Sequence, residues 1–425
     1  MVCLHPNARH HCGRTHQQNP SSMTTDKKDR IPNAPDLRFS EFVGEWLSHP
    51  TTDFFEFKNG LNPEAKRFGT GTKFISVMDI LNNRYITYEK VISSVIPNEG
   101  DLEDFGVNYG DILFQRSSET LEDVGRANVY LDNKTALFGG FVIRGKKTGD
   151  YDPLFFRYML SSPYTRKRII VKGAGAQHFN IGQDGLSKVE LFVPSLDEQK
   201  RIGELFNLLD ERIETQSRAI EKLQSLISGI TQKVSKHPSV QKTMLSDVLM
   251  ERNEKNQKLL PVYSVSVSEG VVNQVEYLGR SFAAKDTSNY NVVYFGDIVY
   301  TKSPTGDFPF GIVKRSNNAD KVAVSPLYGV YQPASEDIGI YLHYYFCSSL
   351  NAKNYLHKLI QKGAKNTINI TNQRFLENEV PIPDPLTLRK YVVLMTSLSK
   401  KLEQEKNLLA LLQTQKQFLL QEMFI

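Results

Sequence analysis

LFVPSLDEQKRIGELFNLLDERIETQSRAIEKLQSLISGITQKVSK, residues 191–236, changes periodicity within four residues. Leu191-Phe192-Val193 is a short β-prone run that stops at Pro194, and beyond that proline the apolar residues recur every 3.5 positions. Phe206, Ile213, Ile220, Ile227 and Val234 occupy one heptad position, while Ile202, Leu209, Gln216, Leu223 and Ile230 occupy the other. The spacing predicts a coiled-coil helix, with Asp197 as its N-cap and its stop before His237-Pro238. The last 35 residues repeat the pattern through Tyr391, Met395, Leu398, Leu402, Leu409, Leu412, Leu419 and Met423, interrupted by Glu405 and Lys416. An apolar seam needs a partner, and the simplest partner for each helix is the other.

Outward from this stretch, the two halves of the chain repeat at an offset near 188 residues. Tyr109-Gly110-Asp111-Ile112-Leu113-Phe114-Gln115-Arg116-Ser117 returns as Phe295-Gly296-Asp297-Ile298-Val299-Tyr300-Thr301-Lys302-Ser303, a turn feeding a strand. Lys172-Gly173-Ala174 with Asn180-Ile181 returns as Lys362-Gly363-Ala364 with Asn369-Ile370, and a short strand then ends at Pro194 or Pro383. Within each half, strand-like runs (73–77, 141–144, 191–193) mix with a helical stretch over 153–172; Asp152-Pro153 and 335–337 suit helix starts.

The expected fold class is therefore α+β. Two similar domains are separated by two long helices that form an antiparallel intramolecular coiled coil, giving a pseudo-two-fold chain. The boundaries read as a disordered leader over 1–34, a first domain over 35–195, the central helix over 196–236, a second domain over 237–385 and the C-terminal helix over 386–425. Residues 1–22 lack an apolar period, and Met23-Thr24-Thr25-Asp26 reads like a natural start.

Composition narrows the class. At 425 residues the chain has room for two or three globular units, and 40% hydrophobic with 23% charged residues is an ordinary folded balance. No run nears the ~18 apolar residues of a membrane span, and the start lacks a basic-then-apolar signal, so a cytoplasmic protein is expected. Three cysteines are too few for a disulfide scaffold. Lys+Arg minus Asp+Glu is 52 − 47 = +5, which permits nucleic acid without requiring it.

Catalytic motifs fail their context tests. Gly140 to Lys147 nearly matches a phosphate-binding loop but lacks the final hydroxyl residue, and its interior is an apolar β-prone run rather than a loop with free amides. Asp152-Pro153-Leu154-Phe155 resembles a base-holding methyltransferase loop without its second proline or a glycine-rich cofactor loop, and a helix start accounts for it. Cys3, His5, His10, His11, Cys12 and His16 are metal-ligand types without paired spacing, so no metal site is expected.

The residues left over make a vocabulary for binding. Arg157, Arg166, Lys167, Arg168 and Lys172 lead to Gln177-His178-Phe179-Asn180; Lys353, Lys358, Lys362 and Lys365 lead to Asn366-Thr367-Ile368-Asn369. Lys and Arg neutralise phosphates, whereas Gln, Asn, Arg and Thr pair with base edges. The candidate DNA contacts are Arg116, Lys172, Gln177, His178 and Asn180 in the first half, with Lys302, Lys362, Lys365, Asn366, Thr367 and Asn369 in the second. A solvated basic helix followed by an ordinary turn fits the same pattern, and the residues alone leave both readings open.

At Pro194-Ser-Leu-Asp-Glu198-Gln199-Lys-Arg-Ile202 the chain resembles the specificity subunits of type I restriction-modification enzymes, whose coiled-coil helix opens with P-x-L-x-E-Q-x-x-I. Asp36-Leu37-Arg38-Phe39 with Trp46 resembles that family's N-terminal stretch. The second copy, Pro383-Asp-Pro-Leu-Thr-Leu-Arg-Lys-Tyr391, lacks the Glu-Gln pair. The resemblance implies two target-recognition domains, each reading half of an asymmetric bipartite DNA site, with the helices setting their separation. It further implies a non-catalytic chain that docks two modification subunits and motor-nuclease restriction subunits. S-adenosylmethionine, ATP and magnesium would be bound by those partners and none by this chain. Two other readings remain beside it: a single-chain DNA methyltransferase with degenerate motifs, and a coiled-coil adaptor that binds only protein.

Overall fold

The computed structural model describes residues 32–175, 177–280, 283–362 and 368–425. The chain divides into two compact units, one running through Asp210 and including Gln415–Ile425, the other Glu211–Thr414. Most of the expected leader, with its cysteines and histidines, lies outside the described residues. Of its last residues, Asn33 accepts a hydrogen bond from the Trp46 backbone N–H at 2.8 Å.

The first unit is built on an antiparallel sheet in the order Phe55–Asn59, Val142–Lys147, Ile112–Gln115, Ala127–Val129. Helices Pro153–Ser161 and Pro163–Ile170 pack against it, burying Phe55, Phe114, Phe155, Phe156 and Tyr158 in one core. The single helical stretch expected over 153–172 is in fact two. Pro163 has no N–H to continue the ladder, and Ser162 ends one helix while its side chain accepts from the Thr165 N–H of the next. Asp152 caps the first helix, accepting from Phe155 N–H at 2.8 Å. Two run boundaries also move. The strand containing Phe74 ends at Ile75, because Ser76 and Asp79 form a capping box that starts helix Val77–Asn82, and the strand after Phe141 begins at Val142.

The second unit repeats this order. Its sheet runs Leu249–Glu251, Gly329–Pro333, Ile298–Thr301, Ile312–Arg315, so the repeated turn-strand motif occupies the same inner position in each. Helices Glu336–Cys347 and Ser349–His357 follow, capped by Ser335 and Ser348. Each unit then closes with a short strand, Glu190–Val193 or Glu379–Ile382, paired antiparallel with an early strand, Leu47–Pro50 or Gln241–Met244.

The long helices are Leu196–Val234 and Pro385–Glu422. The first begins one residue before the expected cap, which puts Asp197 in the first turn, where a carboxylate still favours the positive helix end. Within the first unit, Phe206 meets Phe424 with ring centroids 5.6 Å apart, and Lys416 Nζ pairs with Asp210 Oδ1 at 2.6 Å. Within the second, Gln216 reaches Glu405 and the Thr231 hydroxyl lies 2.8 Å from that of Tyr391. Rising numbers on one helix meet falling numbers on the other, so the pairing in each unit is antiparallel. Phe206, Ile220 and Ile227 are buried, and Leu209, Ile213, Leu223, Leu398, Leu402, Leu409 and Leu412 are half-buried, as the heptads require. No helix among the described residues is long and apolar enough to cross a membrane.

Candidate nucleic-acid interface

The repeated motif owes its shape to one glycine and one aspartate. Gly110 and Gly296 have φ of +91° and +86°, a conformation that side-chain-bearing residues rarely adopt. The following aspartate ties the turn: Asp111 accepts from Asn108 N–H at 2.9 Å, and Asp297 from Tyr294 N–H at 2.8 Å. Burial pushes the Asp111 carboxyl above its ordinary range, against the N–H groups of Asn108 and Lys147 that favour its charge. Asp297 instead gains a bidentate partner, Arg252, at 2.7 and 3.0 Å, whose guanidinium lies 4.0 Å from the centre of the Tyr294 ring.

In the first unit the strand from this turn ends at Gln115, and three segments meet at the next residue, Arg116. Arg116 donates its backbone N–H to Phe141 O at 2.9 Å and Nη1 to Gly140 O at 3.3 Å, and its own carbonyl accepts from Ile181 N–H at 3.0 Å. Ser117 and Ser118 pair with Asn180 and Phe179 as short antiparallel strands. Arg116 and Asn180, 64 positions apart in sequence, are thereby brought to one edge. Lys172, Gln177 and His178 are exposed on the segment leading into it, and the Gln177 and His178 side chains hydrogen-bond to no described residue. Asn180 is already engaged: its Oδ1 accepts from the Ser117 hydroxyl and its Nδ2 donates to His178 O at 3.3 Å.

Most of the basic run before this loop is structural. Arg157 is half-buried and donates to Arg84 O; Arg166 caps carbonyls of Gly125, Glu122 and Val124 at 2.7, 2.9 and 2.6 Å; Arg168 reaches Ile425 O at 2.9 Å. Burial, with Arg126 nearby, pulls the Arg166 guanidinium down to about 10. Of that run, Lys167 and Lys172 are exposed. Sequence reasoning missed Phe141, read as the first residue of a strand-like run. It is 70% exposed beside Arg116, and the Gly139-Gly140 pair before it was the available signal of a chain reversal.

In the second unit Lys302 follows strand Ile298–Thr301, half-buried; burial lowers its ammonium pKa while Glu251 opposes that shift. Gln361 pairs with Asn369 and Lys362 with Ile368 through the backbone, the counterpart of the edge at Asn180. The side chains of Lys362 and Asn369, and all of Lys365, Asn366 and Thr367, lie outside the described residues.

The Glu-Gln pair at the central helix start also acquires a role. Glu198, 1% exposed, takes a bidentate hydrogen bond from Arg38 at 2.7 and 2.7 Å and a longer one from Trp46 Nε1 at 3.4 Å. Gln199 accepts from Asp152 N–H at 3.0 Å and donates to Pro194 O at 3.0 Å, locking the helix start to the helix that carries Asp152 as its cap. In the second copy, which lacks the pair, Asp384 accepts from the N–H groups of Leu386 and Thr387 at 3.0 and 3.1 Å.

Residues 44–225 match the type I restriction modification DNA specificity domain. The chain is 25% identical over 185 residues to the type I restriction enzyme EcoKI specificity subunit of Escherichia coli (strain K12), covering 42% of this chain and 39% of the relative. It is 24% identical over 229 residues to the putative type I restriction enzyme MjaX specificity subunit of Methanocaldococcus jannaschii, covering 51% and 52%. The chain thus spans about half or less of the length of these curated relatives. In fold it is similar to the S subunit of a type I restriction-modification system from M. genitalium, with a TM-score of 0.58 at 16% identity over 92% of this chain and 99% of that one. A chain from a type I R-M system solved for its complex assembly and conformational transition gives 0.50 at 12% identity over 88% and 96%. The matched residues 44–225 contain the Gly-Asp turn, the edge at Arg116 and the Glu198 anchor, and it is in this stretch that the chain is similar to the type I restriction modification DNA specificity domain.

Proposed function

We propose that this chain is the DNA sequence-specificity subunit of a type I restriction-modification complex and has no catalytic activity of its own. Each unit reads one half of an asymmetric bipartite target, and the paired helices set the spacing and dock two modification subunits. Restriction subunits join through that assembly. S-adenosylmethionine, ATP and magnesium are held by those partners, and the complex works in the cytoplasm, where the DNA is.

The observation that carries this reading is the edge of the first unit, inside the matched specificity domain. There Arg116, Lys172, Gln177, His178 and Phe141 gather phosphate-neutralising, base-pairing and stacking groups around Asn180. Lys302 and the segment holding Lys362, Lys365, Asn366, Thr367 and Asn369 are assigned the same role in the second unit on the strength of the repeat.

The test is methylome sequencing of cells carrying this chain with its modification partner. A bipartite motif that appears only when both are present is the expected result. Methyl transfer by the purified chain with S-adenosylmethionine alone would replace this reading with a single-chain methyltransferase. Absence of any DNA affinity across a salt titration of the assembled complex would leave only a protein-binding adaptor, since the logarithm of phosphate-driven affinity falls linearly with log salt.

A further inference from the structure

A cleft of about 510 Å³ in the second unit opens beside Cys347, the last residue of helix Glu336–Cys347. Its lining includes Lys314, Arg315, His343, Cys347 and, as its one carboxylate, Glu269. Nothing in the DNA-reading proposal uses this cleft.

The groups facing the sulfur are arranged as donors. Lys314 Nζ lies 3.3 Å from Cys347 Sγ, and His343 Nε2 lies 3.8 Å from it. His343 Nδ1 accepts the Arg315 backbone N–H at 3.2 Å, so the ring hydrogen belongs on Nε2, toward the sulfur. Lys314 is only 5% exposed, and among the described residues its ammonium has no carboxylate within ion-pair distance. An ammonium buried without an anion is costly, so the sulfur is its counter-charge and is favoured as thiolate. Arg315, 7% exposed, lines the same cleft with its Nε lacking any hydrogen-bond partner, and its other nitrogens reach Asn317 and Glu336. Burial would push the Cys347 thiol up, but His343 and Lys314 outweigh it and bring it down to about 6. Cys347 as a residue is half-buried, and it lines the cleft.

We propose that Cys347 is a modification site, a nucleophilic thiolate that reacts with small hydroperoxides entering this cleft. The sulfur attacks one peroxide oxygen; an S–O bond forms as the O–O bond breaks, and two electrons pass from sulfur to oxygen. With hydrogen peroxide the departing hydroxide takes a proton from Lys314 and leaves as water, Lys314 recovers a proton from solvent, and Cys347 becomes a sulfenic acid. The low thiol pKa and partial exposure are the combination that selects one cysteine for such chemistry.

The experiment uses the full chain and reads Cys3, Cys12 and Cys347 separately by peptide mass spectrometry. Hydrogen peroxide is added with dimedone to trap sulfenic acid, and iodoacetamide labelling is followed against pH in parallel. The expected labelling midpoint for Cys347 is about 6. At pH 6.5 the thiolate gain over an ordinary thiol near ~8.5, discounted for lower intrinsic nucleophilicity, makes the folded chain about fivefold faster at Cys347 than the urea-unfolded chain. Lys314→Met should move the midpoint upward and Lys314→Arg should largely restore it. Should Lys314→Met fail to fold, the wild-type profile decides alone. A midpoint near that of an ordinary thiol, slower labelling in the folded chain than in the unfolded one, or no dimedone adduct at Cys347 overturns the proposal.

Discussion

Gln216 Nε2 donates to the backbone carbonyl oxygen of Glu405 at 3.0 Å and also reaches its carboxylate. These are two of the polar residues that interrupt the apolar seams. Lys416, the other interruption of the C-terminal seam, pairs with Asp210. A polar pair inside a seam costs stability and fixes register, because sliding either helix by a turn would bury both groups unpaired.

The Glu405 carboxyl is held below its ordinary range, first by the hydrogen bond from Lys401 and then by that from Gln216. A depressed carboxyl pKa contributes stability that is complete above the unfolded value, about 4.3, and is lost as pH falls through the folded one. Thermal unfolding of the second unit should therefore weaken between about pH 5 and pH 3, within the usual carboxylate range. Gln216→Ala should reduce that acid sensitivity; an identical pH dependence in the variant would detach Gln216 from the effect.

Arg38→Ala should destabilise the first unit by about 3–5 kcal/mol, because Glu198 would be left charged in a buried site. Its carboxylate is 1% exposed and its remaining partner is the longer contact from Trp46. Adding Glu198→Gln to Arg38→Ala should recover part of the loss, since the stranded charge is gone. Denaturant unfolding of the three chains reads both steps.

Lys172→Ala and Gln177→Ala should separate two kinds of contact. Removing a phosphate contact weakens binding to all sequences and reduces the log–log salt slope by ~0.9. Removing a bidentate base contact costs ~1–3 kcal/mol on the proper site and little on others. Competition binding by the assembled complex, with matched and scrambled half-sites, distinguishes them; equal effects of Gln177→Ala on both would make it a turn residue.

The antiparallel register dictates how spacing is tested. Four residues inserted only after Gln216 would slide one helix past its partner and separate the pair at Glu405, so a matched four-residue insertion before Glu405 is needed. Four residues add ~6 Å and slightly more than one turn, which keeps the seam nearly in phase. At 3.4 Å per base pair the unread gap should lengthen by at most about two pairs while both half-sites stay the same. Methylome sequencing of this variant reads the gap directly, and an unchanged gap in an active complex would show that the helices do not measure DNA.

Periodicity and turn chemistry are local, so the chain alone was enough for the two heptad helices, the 188-residue repeat and the Gly-Asp turns at Gly110 and Gly296. Each depends on residues within a few positions of one another, where φ preference and side-chain spacing act directly. The direction of helix pairing could only be favoured, because an apolar stripe looks the same to a parallel and an antiparallel partner. It was decided by contacts such as Thr231 with Tyr391, 160 positions apart. The arginines were the least legible. Arg157, Arg166 and Arg168 carry the same donors as any phosphate-binding residue, and only packing decided that buried backbone carbonyls, not solvent, would receive them. For Glu198 the deciding partner, Arg38, came from 160 positions away, and burial by the fold leaves the Glu198 carboxylate dependent on that pair, because a buried charge without a partner is costly.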